Sequence, residues 1–285
     1  MKVITAGKAG FCFGVKRAIQ IAFDTAKADP TGVFTLGPII HNPQVVEKLK
    51  LEGVGVLDVM DNFDDVRVVI VRSHGVSPFV HEEIKNKGCK VIDATCPFVK
   101  KAQGYARGLH KEGYQVLIVG EEAHPEVQGI LGYAGGDALV VGKDVHLDNF
   151  SIKPKIGIIA QTTQSFGNLQ RVVNAALPRV AELKVYNTTC NATRKRQLET
   201  ARLAGQVNLM FVVGGKNSAN TKRLKTICVE KGVHVYHVET AEEIKPEWLE
   251  GIETVGITGG ASTPDWIIQQ VENRLKEVSQ TINND

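Results

Sequence analysis

Cys12, Cys96 and Cys190 occupy the same place in a unit that the chain repeats three times. The three stretches read ITAGKAGFCFGVKRA, KVIDATCPFVKKA and KVYNTTCNATRKRQ: an apolar, β-branched run, a cysteine, then a basic helical opening. The register holds downstream. His41, His124 and Ser218 follow their cysteines by 29, 28 and 28 positions, each in a polar loop after a strand-like run ending in glycine (FTLGPIIHNP, LIVGEEAHPE, FVVGGKNSAN). Two more strand-like runs follow in each unit, the second opening into another polar loop (VVIVRSHGVSP, IGIIAQTTQS, VGITGGASTP). Three cysteines at equivalent points of three copies suggest one shared metal centre on a common axis.

Each unit reads as strand, cysteine, helix, strand, polar loop, helix, strand, strand, polar loop, helix. Short β-branched runs alternating with helical patterns predict parallel βαβ sheets. Such sheets bind ligands beyond the carboxyl ends of their strands, where the cysteines and both families of loops fall. The expected fold is therefore α/β, with three pseudo-threefold-related domains of small parallel sheets around a central metal site. The cysteines divide the chain into 1–95, 96–189 and 190–285. Ser77-Pro78 and Thr263-Pro264 read as N-cap and first-turn pairs, and Pro43 and Pro97 take the same part after Asn42 and Cys96. The polar tail after Lys276 is expected to fray.

Composition narrows the function. With 285 residues, 43% hydrophobic and 23% charged, the chain has an ordinary globular make-up, long enough for two or three small cores. A net charge of +3 gives no ground for nucleic-acid binding. No apolar run is long enough to span a membrane, and a strand at the amino terminus argues against a secretory signal. Five cysteines without a CxxC pair look reduced, not disulfide-bonded. A cytoplasmic protein, monomeric by default, is expected.

Cys89 and Cys228 have no counterparts in the other units and read as small buried apolar residues. The matched three sit at helix N-termini, which suits thiolate ligands. Lys16, Arg17, Lys100, Lys101, Arg194 and Lys195 recur at the fourth and fifth positions after the cysteines, and most read as a solvated helix face. Three thiolates with a histidine could hold structural zinc, although such sites usually use closely spaced ligand pairs. A [4Fe–4S] cluster normally takes four cysteines. Held by three, it leaves one iron open to act as a Lewis acid.

His41, His74 and His124 fall in the loops at the proposed cavity, where imidazoles can donate hydrogen bonds to phosphate. The third unit offers Ser218, Asn220 and Ser262, and the second offers Thr162 and Thr163. Together these donors describe a compact diphosphate pocket, helped by helix N-termini. His81, His110, His146, His234 and His237 read as surface or structural. Glu126, two residues after His124, is the carboxylate suited to proton transfer if a dry site raises its pKa. Glu121 and Glu122 share its loop as solvated neighbours.

The set FCFGVKRA, GPIIHNP, RSHGV, ATCPFVKK, GEEAHPEV, QTTQS, NTTCNATRKRQ, GGKNSANT and TGGASTPD resembles the 4-hydroxy-3-methylbut-2-enyl diphosphate reductase family, in order and without a large gap from Met1 to about Leu275. The resemblance implies a trefoil of three α/β domains around a [4Fe–4S] cluster ligated by Cys12, Cys96 and Cys190. It implies diphosphate binding by His41, His74, His124, Ser218, Asn220 and Ser262, with Thr162 near the substrate hydroxyl and Glu126 delivering protons. Ala219 stands where some members carry a second serine. The implied reaction turns the allylic alcohol into isopentenyl and dimethylallyl diphosphate with two electrons and two protons. No G-x-G-x-x-G fingerprint for a nicotinamide or flavin is present, so a ferredoxin or flavodoxin is the expected donor. Rival expectations are a hydro-lyase that turns over without reductant, an iron–sulfur sensor or carrier without a diphosphate pocket, and a colourless zinc-stabilised binding protein.

Overall fold

The computed structural model describes residues 1–29, 31–58, 61, 63, 65–143 and 147–282. Along the chain, β1 (Lys2–Thr5) is followed by α1 (Phe13–Ala28), β2 (Val33–Leu36), α2 (Pro43–Leu51), β3 (Val54–Leu57), β4 (Val68–Val71), α3 (Pro78–Asn86) and β5 (Lys90–Asp93). Then come α4 (Pro97–Lys111), β6 (Gln115–Val119), α5 (Pro125–Ala134), β7 (Leu139–Val141), β8 (Lys155–Ala160), α6 (Phe166–Ala176) and β9 (Glu182–Val185). The last part holds α7 (Asn191–Ala204), β10 (Leu209–Val213), α8 (Ala219–Glu230), β11 (His234–Val238), β12 (Thr254–Gly259) and α9 (Asp265–Ile282).

Among the described residues these strands form three four-stranded sheets, ordered β1-β12-β10-β11, β5-β4-β2-β3 and β9-β8-β6-β7. Every pairing is parallel. Read from the strand that leads to a cysteine, the three orders are the same, and the α/β repeat of the sequence is a repeat of topology. The inner strands are apolar without alternation (VVIV in β4, QVLIV in β6, LMFVV in β10) and buried throughout, as strands covered on both faces must be. The cysteine-side strands β1, β5 and β9 begin with Lys2, Lys90 and Glu182 and stay partly exposed.

The sheets group the chain differently from the division at the cysteines. β1 pairs with β12 in the register Lys2↔Thr254 to Thr5↔Ile257, so residues 2–5 complete the third sheet instead of opening the first. The physical reason is that β12 (TVGITG) is almost fully buried and needs a parallel partner on each side, and the chain between residues 191 and 259 supplies only β10 and β11.

The chain divides into two compact units, one of residues 1–16, 40–47 and 191–285, the other of 17–39 and 48–190. In the first, one face of the sheet packs Leu209, Phe211 and Val255 against Ile267, Val271 and Leu275 of α9. Its other face packs Met210 and Val212 against Leu203 of α7 and Leu224 of α8. In the second unit, Val116, Ile118 and Ile159 face Ala102, Ala106 and Ile130 of α4 and α5. On the opposite side Leu117, Ile156 and Ile158 meet Leu169 and Val172 of α6. The expected fraying after Lys276 does not occur up to Ile282. Val271, Leu275 and Val278 share one helical face and are all buried in the core, which holds the last turns in place.

Candidate functional site

Each matched cysteine is tied to its sheet by one equivalent bond. The backbone N–H of Cys96 donates to the Ser73 carbonyl at 3.0 Å, that of Cys190 to Thr162 at 2.8 Å, and that of Cys12 to Ala261 at 3.2 Å. The acceptor is in every case the loop that follows the neighbouring strand. A helix opens directly afterwards: the Cys12 and Cys96 carbonyls accept the N–H groups of Lys16 and Lys100 at 2.9 and 3.0 Å. Cys96 is the N-cap of α4, followed by Pro97, and its side chain makes no cap bond.

None of the five cysteines is in a disulfide among the described residues, and burial separates them into two kinds. Cys12, Cys96 and Cys190 are half-buried, whereas Cys89 and Cys228 are buried. Desolvation pushes the Cys228 thiol up to about 12, and the Cys89 thiol donates to the Val66 carbonyl at 3.3 Å. Neither suits a thiolate ligand. The half-buried three have the soft donor chemistry that an iron–sulfur cluster requires, so the residues present fit that group.

In the second unit α5 brings His124 and Glu126 together. His124 is its N-cap, Pro125 its first residue, and the His124 Nδ1 accepts the Glu126 N–H at 3.1 Å. A neutral ring held this way carries its proton on Nε2 and presents that edge as a donor. The His74 ring meets it edge-on, with centroids 5.4 Å apart. Glu126 is 2% exposed, and its carboxyl is gripped by one residue 36 positions away. Thr162 N–H donates to Oε1 at 2.6 Å and the Thr162 hydroxyl to Oε2 at 2.8 Å. Burial raises the Glu126 pKa to about 7 against the lowering effect of both Thr162 bonds. Desolvation dominates because no cation offsets it. Glu121 and Glu122 are exposed.

Sequence reasoning passed over Gln161, which is fully buried. Its Oε1 accepts the Glu121 N–H and its Nε2 donates to the Thr163 hydroxyl, both at 3.0 Å. It thereby ties the loop before α5 to the Thr162 loop. The signal was a buried-type amide opening the QTTQ loop at the end of an apolar strand.

The first unit gathers Cys12, His41, Ser218, Asn220 and Ser262. Ser218 caps α8, accepting the Thr221 N–H at 3.3 Å. The Ser262 hydroxyl donates to the His41 carbonyl at 3.4 Å, and a Cβ on Gly215 would come within 2.4 Å of that oxygen. Asn42 caps α2, as the Asn42-Pro43 pair predicts, its Oδ1 accepting the Val45 N–H at 3.0 Å. His41 therefore lies one residue ahead of the frame of His124 and Ser218. Asn220 is 3% exposed, yet among the described residues neither its Nδ2 nor its Oδ1 has a partner, and the Asn42 Nδ2 has none either. A buried amide left unpaired costs roughly 1–3 kcal/mol, a cost that a hydrogen-bonding ligand would relieve.

Other expectations resolve individually. The Thr263 hydroxyl donates to the Val213 carbonyl at 2.8 Å. His237 bonds the Gly214 carbonyl at 2.8 Å and is lowered by burial. His81 is half-buried, while His110 and His234 are exposed. His146 lies outside the described residues. Lys16, Lys100, Lys101, Arg194 and Lys195 are exposed, but the Arg17 guanidinium donates to the Thr95 carbonyl at 3.3 Å.

Comparison with known proteins places these features in a lineage. The LytB protein family matches residues 3–276. A 4-hydroxy-3-methylbut-2-enyl diphosphate reductase of Pelobacter propionicus is 51% identical over 98% of this chain and 99% of its own length. One from Trichlorobacter lovleyi is 52% identical over 99% of this chain and all of its own. Among solved structures, (E)-4-hydroxy-3-methyl-but-2-enyl diphosphate reductase, described as the terminal enzyme of the non-mevalonate pathway, aligns with a TM-score of 0.71 at 47% identity, over 97% of this chain and 100% of that one. The E-1-hydroxy-2-methyl-but-2-enyl-4-diphosphate reductase of Plasmodium falciparum aligns with a TM-score of 0.89 at 27% identity, over 96% of this chain and 88% of that one.

Proposed function

Because this chain belongs to the LytB protein family, we propose that it performs the reaction for which its relatives are named, the reductive dehydroxylation of 4-hydroxy-3-methylbut-2-enyl diphosphate to isopentenyl and dimethylallyl diphosphate. Each turnover takes up two electrons and two protons and releases one water. The observation that carries the chemistry is Glu126, a buried carboxyl whose pKa of about 7 keeps a proton available at neutral pH. Glu126 donates that proton to the departing hydroxyl oxygen. Thr162 orients the carboxyl through its N–H and its hydroxyl, and it stands at the hydroxyl end of the substrate.

The diphosphate is held by the imidazoles of His41, His74 and His124, the hydroxyls of Ser218 and Ser262, and the Asn220 amide. Two kinds of support bear on this. His124 offers a donor at Nε2 without being protonated, since its Nδ1 already accepts a backbone bond. Asn220 has both amide atoms unpaired, so an oxygen-rich ligand relieves a desolvation cost. A [4Fe–4S] cluster on Cys12, Cys96 and Cys190 would supply the electrons and a Lewis-acidic iron. A ferredoxin or flavodoxin delivers those electrons from outside. The working state is a cytoplasmic monomer, and among the described residues no helix is long and apolar enough to cross a membrane.

The test is anaerobic turnover. Protein with iron and sulfide at cluster stoichiometry, given a one-electron chemical reductant and the allylic diphosphate, should yield both five-carbon diphosphates. No product from cluster-loaded protein, or turnover that proceeds without reductant, would overturn the assignment.

A further inference from the structure

The approaches to the three cysteines are built differently, and each is braced by a helix that follows another cysteine. Residues 94–95 lead from β5 to Cys96, and the Thr95 N–H donates to the Asp93 Oδ1 at 2.9 Å. Residues 186–189 lead from β9 to Cys190, and the Thr189 N–H donates to the Asn187 Oδ1 at 3.1 Å. Both are local Asx turns, in which a side chain two residues back satisfies the backbone. Residues 6–11 lead from β1 to Cys12, and among the described residues this longer stretch shows no such turn. Gly10 there has φ +103°.

The braces form a sequence. α1, which follows Cys12, carries Arg17, and its guanidinium reaches the Thr95 carbonyl immediately before Cys96. α4, which follows Cys96, carries Tyr105, stacked at 3.9 Å on Tyr186 in the approach to Cys190. The Lys101 ammonium lies 5.6 Å over the Tyr105 ring. α7, which follows Cys190, carries Arg196, 4% exposed, whose Nε and Nη2 donate to the Lys8 and Gly10 carbonyls at 2.9 and 2.7 Å. One turn on, the Glu199 carboxylate accepts the N–H groups of Gly7 and Lys8 at 2.9 and 2.7 Å. The longest approach thus receives the strongest brace, four charge-assisted bonds.

We propose that Arg17, Tyr105 and the Arg196–Glu199 pair are positioning residues that brace the three ligand cysteines in a closed cycle: the helix after Cys12 holds Cys96, the helix after Cys96 holds Cys190, and the helix after Cys190 holds Cys12. The proposal rests on those cysteines being the cluster ligands. Its signature is displacement. Weakening a brace loosens the next cysteine in the cycle, not the one that begins the braced helix.

The experiment starts from cluster-loaded enzyme and removes iron with a ferrous chelator under nitrogen in the presence of iodoacetamide. Labelling of each cysteine is followed by peptide mass spectrometry. Arg17→Lys should speed labelling at Cys96, Tyr105→Leu at Cys190, and Arg196→Lys at Cys12, each by about tenfold, as expected for loss of a bond to a charged group or of a packed ring pair. The other two cysteines should stay within about twofold of wild type, a margin that corresponds to less than a typical hydrogen bond. Glu199→Gln keeps the buried arginine and should give the Cys12 effect in smaller form, so a misfolded Arg196→Lys does not remove the test. Equal acceleration at all three cysteines, acceleration at the cysteine that begins the altered helix, or no change overturns the cycle. Wild-type protein that never takes up iron would instead remove the ligand assignment on which the proposal rests.

Discussion

Two regions place different residues at one scaffold position and show how a repeat is divided between tasks. Glu126 and Asn220 are both the second residue of a helix, after the caps His124 and Ser218. In the second unit, Thr162, the residue whose carbonyl receives the Cys190 N–H, also turns its own N–H and hydroxyl onto Glu126. In the first unit the corresponding residue is Ala261, whose carbonyl receives the Cys12 N–H but which has no hydroxyl to offer. Asn220 is left with both amide atoms unpaired. One copy completes its buried polar group internally, and the other leaves it unpaired among the described residues. A satisfied carboxyl can hold a proton in a fixed direction, whereas an unsatisfied amide gains by binding.

The sharpest break of this comparison is Glu126→Gln. The amide keeps the shape and an acceptor for Thr162 but carries no transferable proton. Turnover should fall about a hundredfold to ten-thousandfold, the usual share of general acid catalysis, with the dissociation constant for substrate little changed. Near wild-type turnover in an anaerobic steady-state assay removes Glu126 as the acid.

The same substitution should act oppositely on stability. The folded-state pKa is raised, from 4.5 to about 7, so the native state holds the proton more tightly than the unfolded chain between those values. Wild-type stability therefore falls as pH rises through that window and is lowest above 7, by at most about 3 kcal/mol. Glu126→Gln lacks this dependence. Its urea midpoint relative to wild type should rise between pH 5 and pH 8, and a constant difference would mean that Glu126 is not desolvated.

How much of this was legible in the sequence depends on how far apart the partners lie. Buried parallel strands declare themselves by unbroken apolar runs such as VVIV and LMFVV, and the α/β repeat follows from them. The pairing of β1 with β12 joins strands about 250 residues apart, and no local pattern records it. Glu126 was visible from its spacing to His124, but its grip by Thr162 was not, because hydrogen bonds over 36 residues leave no periodic trace. The Asn42 cap of α2 was legible from the Asn42-Pro43 pair, and it sets His41 one residue ahead of the caps His124 and Ser218. Arg196 was readable in principle. At the sixth position after each cysteine the chain has Ala18, Ala102 and Arg196, all buried, and a buried arginine where two copies have alanine needs partners.

Thr162→Val probes the completed half more gently. It keeps the backbone donor to Oε1 and removes the hydroxyl donor to Oε2. Because that hydroxyl lowers the Glu126 pKa, its loss moves the pKa further up. The alkaline limb of the pH–rate profile should shift to higher pH, with maximal turnover down by roughly tenfold, the worth of one hydrogen bond to a charged group. A limb that stays in place, or moves to lower pH, would mean that the hydroxyl does not act on the carboxyl.

On the unsatisfied side, Asn220→Ala deletes a buried amide that has no protein partner. Stability should hold or rise slightly, because the desolvation cost goes with the group, while substrate affinity weakens by about tenfold. Thermal melting and equilibrium binding of the diphosphate separate the two effects. A large loss of stability would show that the amide is used by the fold and not kept for ligand.

The smallest effect is the most specific, because it transplants one copy's solution into the other. Ala261→Thr places a hydroxyl where Thr162 carries one, and Ala261 is half-buried. If the two positions are equivalent in space, the new hydroxyl satisfies the Asn220 Oδ1 and adds about 1 kcal/mol of stability. It also competes with the substrate, so affinity falls. The double variant Ala261→Thr with Asn220→Ala should lose the gain, since the hydroxyl then has no amide to meet. A gain that survives in the double variant would come from some other contact. It would confine the likeness of the two sites to their helix caps.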